Sequence, residues 1–138
     1  MPSDPLSQAI EYYRSGRIGD AEERCRFLLA VSPDHTEANH LLGAICFQQN
    51  KFTEAVTLLR RAAESPNATA EMQNHLGSAY KKLGDNRKAA EAFERAIAMK
   101  PDYADALHNL GVVYSMMQKS DESLGNLREA VVLKPELL

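Results

Sequence analysis

Three histidines recur at nearly equal intervals, and they are the residues that could support chemistry, through a metal ion. His40, His75 and His108 are 35 and 33 residues apart. Helices stacked side by side could bring them together, and imidazole is a common ligand of zinc. A zinc site would also need supporting carboxylates or a close Cys/His spacing, and the sequence shows neither. We therefore predict no metal and no cofactor at these histidines.

The cysteines and glycines do not complete a catalytic motif. Cys25 and Cys46 are too far apart for a C-x-x-C pair, and we expect reduced thiols packed in a core. The sequence contains no G-x-S-x-G turn, no glycine-rich phosphate loop and no H-E-x-x-H helix. We therefore predict that the chain is not an enzyme.

Composition and charge indicate one soluble domain. The chain has 138 residues, of which 44% are hydrophobic, enough for a packed core. It has no apolar run of about 18 residues that could span a membrane, and its first residues do not resemble a secretory signal. The formal net charge of -3 disfavours nucleic acid and anionic membranes as partners. A cytoplasmic protein is the expectation.

A 34-residue period organises the whole sequence. Gly43, Gly77 and Gly111 are each 34 residues apart, and each follows a leucine. Around Gly77 the spacing is i, i+3, i+4, i+7 over Gln73, Leu76, Gly77 and Tyr80, which predicts a helix with one buried face. The third unit shows the full pattern: Leu76, Gly77, Tyr80, Gly84, Ala89, Phe93, Ala96 and Pro101.

This pattern resembles the tetratricopeptide repeat family over nearly the whole chain. Four repeats are predicted, at 2–35 (degenerate), 36–69, 70–103 and 104–137, together forming a single domain over 1–138. The resemblance implies an all-α fold, a right-handed superhelical α-solenoid of antiparallel helix hairpins, because one hairpin cannot bury its apolar face alone.

Turn and cap residues predict where the helices begin and end. Gly16, Asn50 and Gly84 stand where a left-handed residue should close a first helix, and Gln118 is a poorer match at the same place. Asp85 should cap the helix after it, and Asp34 with Glu37 should form a capping box. Asp4 before Pro5 should start a short first helix.

In this family the first helices line a concave surface that binds protein segments or peptides. Two known binding modes do not fit: the cation positions of the carboxylate clamp hold His40, Asp105 and Asn109, and only Asn109 fits the asparagine ladder of the large O-linked N-acetylglucosamine transferases. The resemblance implies binding residues at Ile10, Tyr13, His40, Ala44, Phe47, Asn74, His75, Lys81, Lys82, His108, Asn109 and Val112.

We expect a non-catalytic scaffold that binds a protein or peptide in this groove. Apolar side chains of the partner would contact Tyr13 and Phe47, and its carbonyls or an acidic residue would meet the Asn/His/Lys patch. Phe47 could instead simply pack beneath the short first helix. Because no polar cap follows the last repeat, either the native chain continues or a second copy covers that end. Self-association and an accessory role in a longer enzyme, such as a glycosyltransferase, are therefore alternatives.

Overall fold

A computed structural model describes residues 4–117, and the chain divides there into two compact units. The N-terminal unit ends at Ala68, and the C-terminal unit begins at Thr69. Seven α-helices and no strand occur in residues 4–117, which confirms the predicted all-α class. Gln118 and the final predicted helix lie outside the described residues, and the division into four repeats stays a prediction.

The N-terminal unit consists of two antiparallel helix pairs. Helix α1 packs on α2, α3 packs on α4, and α2 lies against α3. The core is built from small and medium side chains, with Ala9, Ala21, Cys25, Leu42 and Leu59 almost completely buried. The bounds of the helices are Pro5–Arg14 for α1, Ile18–Val31 for α2, Thr36–Gln48 for α3 and Phe52–Ala63 for α4.

The C-terminal unit contains one complete helix pair and one further helix in its described part. Helix α5 packs on α6, and α7 contacts both of them. Phe93 is the largest fully buried side chain of this unit, and Leu107 and Val113 are also fully buried. The bounds are Ala70–Lys82 for α5, Asn86–Met99 for α6 and Ala104–Met116 for α7.

The turns inside the helix pairs have the predicted left-handed residues. Gly16, Asn50 and Gly84 have φ values of 85°, 62° and 81°. Asn50 is the only non-glycine residue with positive φ in the described part of the chain, and asparagine tolerates this region better than most side chains. These three residues let each first helix stop and its partner start within a few residues.

Two predicted helix starts are confirmed, and a third is wrong. Asp4 accepts a hydrogen bond from the Ser7 amide over 2.8 Å, and Asp85 accepts one from the Lys88 amide over 3.1 Å. The capping box from Asp34 is incorrect, because the N-cap of α3 is His35. The amide of His35 donates to the Ser32 carbonyl, and this turn delays the start of α3 by one residue.

Missing β-carbons let the paired helices approach closely. A Cβ on Gly77 would lie 2.5 Å from the ring of Phe93, and a Cβ on Gly43 would lie 2.7 Å from Leu59. Both values are far below a normal carbon–carbon contact of about 3.5 to 4 Å. The ring of Phe93 therefore occupies space inside its own helix pair, between α5 and α6.

A polar network ties the second helices of the N-terminal unit together. The guanidinium of Arg26 on α2 donates to Glu22 over 3.0 Å and to Glu54 on α4 over 2.9 Å. Gln49 also donates to Glu22, over 3.2 Å. The hydrogen bond from Gln49, together with that from Arg26, holds the pKa of Glu22 below its ordinary value. These groups are well solvated, so each pair contributes at most about 1 kcal/mol.

Candidate functional site

The first helices of the N-terminal unit are linked by Tyr13 and Gln48. The Gln48 side-chain amide on α3 donates a hydrogen bond of 2.6 Å to the Tyr13 hydroxyl on α1. The two residues occupy adjacent positions of the 34-residue period, since Gln48 follows Tyr13 by 35 residues. The phenol ring is half-buried, and the amide of Gln48 is exposed. The bond therefore holds an aromatic ring at the surface where α1 meets α3.

Phe47 directly precedes Gln48 in the sequence, and its ring packs against the ring of Phe52. Its centroid is 5.3 Å from that of Phe52, and the two planes meet at 71°. Such an edge-to-face pair contributes about 0.5–1.5 kcal/mol beyond the burial of its area. Phe52 is the first residue of α4, so the ring of Phe47 packs against the helix that pairs with its own helix, α3. The ring remains half-buried and keeps surface that a partner could cover.

The other predicted residues of the N-terminal unit are also partly accessible. Ile10, His40 and Ala44 are all half-buried. Ile10 lines a shallow cleft on α1 with Ser7 and Arg14. We call the set Ile10, Tyr13, Ala44 and Phe47 the apolar surface; His40 is the polar member among the predicted residues of this unit.

Asn74 in the C-terminal unit differs from the other predicted residues because its side chain is buried. Its side chain is only 7% exposed. Its oxygen accepts a hydrogen bond of 3.1 Å from the Asn109 amide on α7. Its nitrogen donates to the Tyr103 hydroxyl over 3.4 Å. Asn109 is half-buried, so it carries the more accessible amide of the pair.

The remaining predicted residues of this unit carry cations and imidazoles. Lys81 and His108 are half-buried, as is Val112, whereas His75 and Lys82 are exposed. Desolvation by neighbouring atoms lowers the pKa of His75. Because His75 is exposed, water still reaches the ring and limits this lowering. We call the set Asn74, His75, Lys81, Lys82, His108, Asn109 and Val112 the polar surface.

Sequence reasoning missed two residues, one that supports the polar surface and one that caps α3. Tyr103 stands immediately before α7 and receives the hydrogen bond from Asn74. Tyrosine is not a capping residue, so no local signal marks it. His35 caps α3. A residue with extended backbone typically precedes a helix, but nothing in the sequence marks His35 as that residue.

The thiols are not arranged for nucleophilic chemistry. Cys25 and Cys46 are both buried and unbridged. Burial raises the pKa of each thiol to about 11, so both are protonated at neutral pH, and the thiolate is the reactive form. No group of His, Cys, Asp or Glu side chains in residues 4–117 is arranged to hold a metal ion.

Three family models match the chain by sequence. Two described as "Tetratricopeptide repeat" match residues 6–69 and 104–134, and one described as "TPR repeat" matches residues 77–118. The chain belongs to the tetratricopeptide repeat family. The matched residues include the three left-handed turns and the glycines that lie against Leu59 and Phe93.

Solved and curated tetratricopeptide-type proteins extend this comparison. The crystal structure of MamA superposes with a TM-score of 0.87 at 25% identity, covering 98% of this chain and 77% of that chain. The CTR9 homolog of Arabidopsis thaliana is 32% identical over 90% of this chain. The anaphase-promoting complex subunit CDC16 of Saccharomyces cerevisiae is 29% identical over 79% of it. The chain spans only 11% and 14% of those two relatives.

These relationships confirm a helical repeat fold and support a role in protein–protein interaction. Every helix in residues 4–117 is too short or too polar to cross a lipid bilayer.

Proposed function

We propose that the chain is a non-catalytic scaffold that binds a peptide or protein segment through its first helices. The observation that carries the proposal is the pair of rings at Tyr13 and Phe47, which are held by hydrogen bonding and edge-to-face packing yet remain half-buried. Aromatic side chains held at a surface are typical centres of protein interfaces, because they bury a large area and lose little entropy.

The apolar surface is suited to hydrophobic side chains of a partner. Tyr13 and Phe47 provide the rings, and the small side chain of Ala44 lies one helical turn before Phe47 on α3. A bound aliphatic or aromatic side chain would replace water over both rings. Burial of this kind contributes about 25 cal/mol for each Å² of apolar area.

The polar surface is suited to backbone groups and acidic side chains. Asn109 presents a half-buried amide held by Asn74, and amides both donate and accept hydrogen bonds. Lys81 and Lys82 add two positive charges at the end of α5. We propose that this surface binds carbonyl oxygens or a carboxylate of the partner.

Binding to a peptide array tests the proposal with one variant for each surface. Phe47→Ala and Lys81→Glu should each weaken binding of the best peptides by at least about fivefold, as expected when an interface residue contributes about 1 kcal/mol. Apolar peptides should respond to Phe47→Ala, and acidic peptides should respond to Lys81→Glu.

Two controls make the same chemical changes on second helices. Phe27 on α2 is 54% exposed, so Phe27→Ala removes a ring from outside the proposed surfaces. Arg95→Glu reverses an exposed charge on α6. If all four variants bind every peptide as the unchanged protein does, the proposed surfaces are not the binding site.

Self-association is a second candidate, favoured by one specific observation. Phe27 and Val31 lie one turn apart on α2 and are 54% and 73% exposed. A second copy could cover this apolar pair. Light scattering across a range of concentrations, with Val31→Glu as the comparison, separates the two functions. A monomer at every concentration for both proteins would exclude self-association. An accessory role within a longer enzyme is a third candidate, and the full-length gene would decide it.

A further inference from the structure

The N-cap of α3 is a histidine whose ring nitrogen has two neighbours. The Nδ1 of His35 accepts a hydrogen bond of 3.2 Å from the Ala38 amide. The carboxylate Oε2 of Glu37 lies 3.5 Å from the same nitrogen. Asparagine, aspartate, serine and threonine are the usual caps, and all of them accept this hydrogen bond through oxygen. Histidine accepts it through a nitrogen that can gain a proton.

These two contacts require different protonation states of His35. To accept from Ala38, Nδ1 must carry no hydrogen, so the proton of the neutral ring is on Nε2. When the ring is protonated, Nδ1 becomes a donor and can no longer accept from an amide. The Glu37 carboxylate is then its natural partner, because it is the nearby anion and its side chain is exposed.

The backbone around His35 is fixed independently of its ring. The His35 amide donates to the Ser32 carbonyl, and its carbonyl accepts from the Asn39 amide, both over 3.0 Å. A change of ring partner can therefore occur without moving the chain. We infer that His35 is a proton-operated switch, which caps α3 through Ala38 when neutral and binds the Glu37 carboxylate when protonated.

The charged groups near His35 include carboxylates, which favour its protonated ring, and positive charges, which oppose it. Glu37 belongs to the first turn of α3, and Asp34 is the neighbouring loop residue. Arg61 and Glu64, from the end of α4, line a cleft with Asp34. The helix N-terminus carries partial positive charge and opposes an imidazolium. Of these groups, Glu37 is the one whose carboxylate lies within 3.5 Å of Nδ1.

Nitrogen-15 NMR of the whole chain tests the switch between about pH 5 and pH 8, the range in which histidine changes charge. At the upper end, the His35 ring should carry its proton on Nε2. As the ring titrates, the Ala38 amide signal should move with it. Protection of this amide from hydrogen exchange should fall about fivefold, the equivalent of losing a cap of about 1 kcal/mol.

Three variants show whether these residues form the switch. His35→Asn keeps a good cap that cannot titrate, so the Ala38 signal should become independent of pH. Glu37→Gln should change the titration of the His35 ring, whereas Asp34→Asn, the matched loss of a neighbouring carboxylate, should change it less. A neutral ring protonated on Nδ1 would overturn the inference. So would an Ala38 response that is absent, that survives in His35→Asn, or that depends on Asp34 more than on Glu37.

Discussion

Asn109 donates a hydrogen bond of 3.1 Å to the side-chain oxygen of Asn74, and this bond joins α7 to α5. Asn74 also donates to the Tyr103 hydroxyl, so both ends of its amide have partners inside the C-terminal unit. A residue expected to bind ligand is thus largely a support for its neighbour. The distinction matters because removing a buried amide and removing an accessible one should have different effects.

Replacing Asn74 should affect stability more than replacing Asn109. We expect Asn74→Ala to lower the free energy of unfolding by about 1–3 kcal/mol, because it leaves the Asn109 amide and the Tyr103 hydroxyl without this partner. Asn109→Ala should lower it by about 0.5–1.5 kcal/mol, since Asn109 is half-buried. Urea denaturation of both single variants and the double variant measures the coupling. Strictly additive losses would show that the hydrogen bond contributes nothing.

Adding one carbon to Gly77 should destabilise the C-terminal unit. A Cβ there would lie 2.5 Å from the buried ring of Phe93, and overpacking of this kind costs about 1–3 kcal/mol. Gly77→Ala should lower the melting temperature accordingly, and Gly77→Ala combined with Phe93→Leu should recover part of the loss. Gly19→Ala is the control, because a Cβ on Gly19 meets nothing within 4 Å. A loss for Gly19→Ala equal to that for Gly77→Ala would disprove the steric explanation.

At the left-handed turns, the effect of a substitution on stability should depend on backbone strain alone. Gly84 has φ of 81° and open space around its α-carbon, so Gly84→Ala should cost about 1–2 kcal/mol through the conformation and not through a clash. Asn50→Gly, at φ of 62°, should be nearly neutral, because glycine adopts this region readily. Thermal unfolding measures both. An unchanged Gly84→Ala variant would show that the turn adapts without strain.

The sequence was sufficient for features set by local chemistry and insufficient for those set by helix packing. Gly84 and Asn50 were predictable because few residue types accept positive φ. The Asp85 cap was predictable because its partner is three residues away. The bond between Asn74 and Asn109 was not, because it depends on how α5 and α7 pack. The His35 cap was missed because the turn from Ser32 to His35 starts α3 one residue later than the sequence predicted.

The two thiols should be slow to react in the folded protein. Burial raises the pKa of Cys25 and Cys46 to about 11 from the ordinary value of 9.0. At pH 8 the thiolate fraction should therefore be about 100-fold smaller than in the unfolded chain, and lack of access slows reaction further. Labelling with an aromatic disulfide reagent, with and without denaturant, measures the difference. Rapid labelling of the native protein would contradict the buried positions.

The same shift makes stability depend on alkaline pH, with a defined sign. A thiol whose folded pKa is raised stays protonated in the folded state after the unfolded chain has lost its proton. The stabilising effect is complete below about pH 9 and is lost as the pH rises towards 11. We expect the free energy of unfolding to fall more steeply over this range than in a Cys25→Ala/Cys46→Ala variant. Lysines and tyrosines titrate in both proteins, so the difference between the two slopes isolates the thiols. Equal slopes would show that burial does not perturb them.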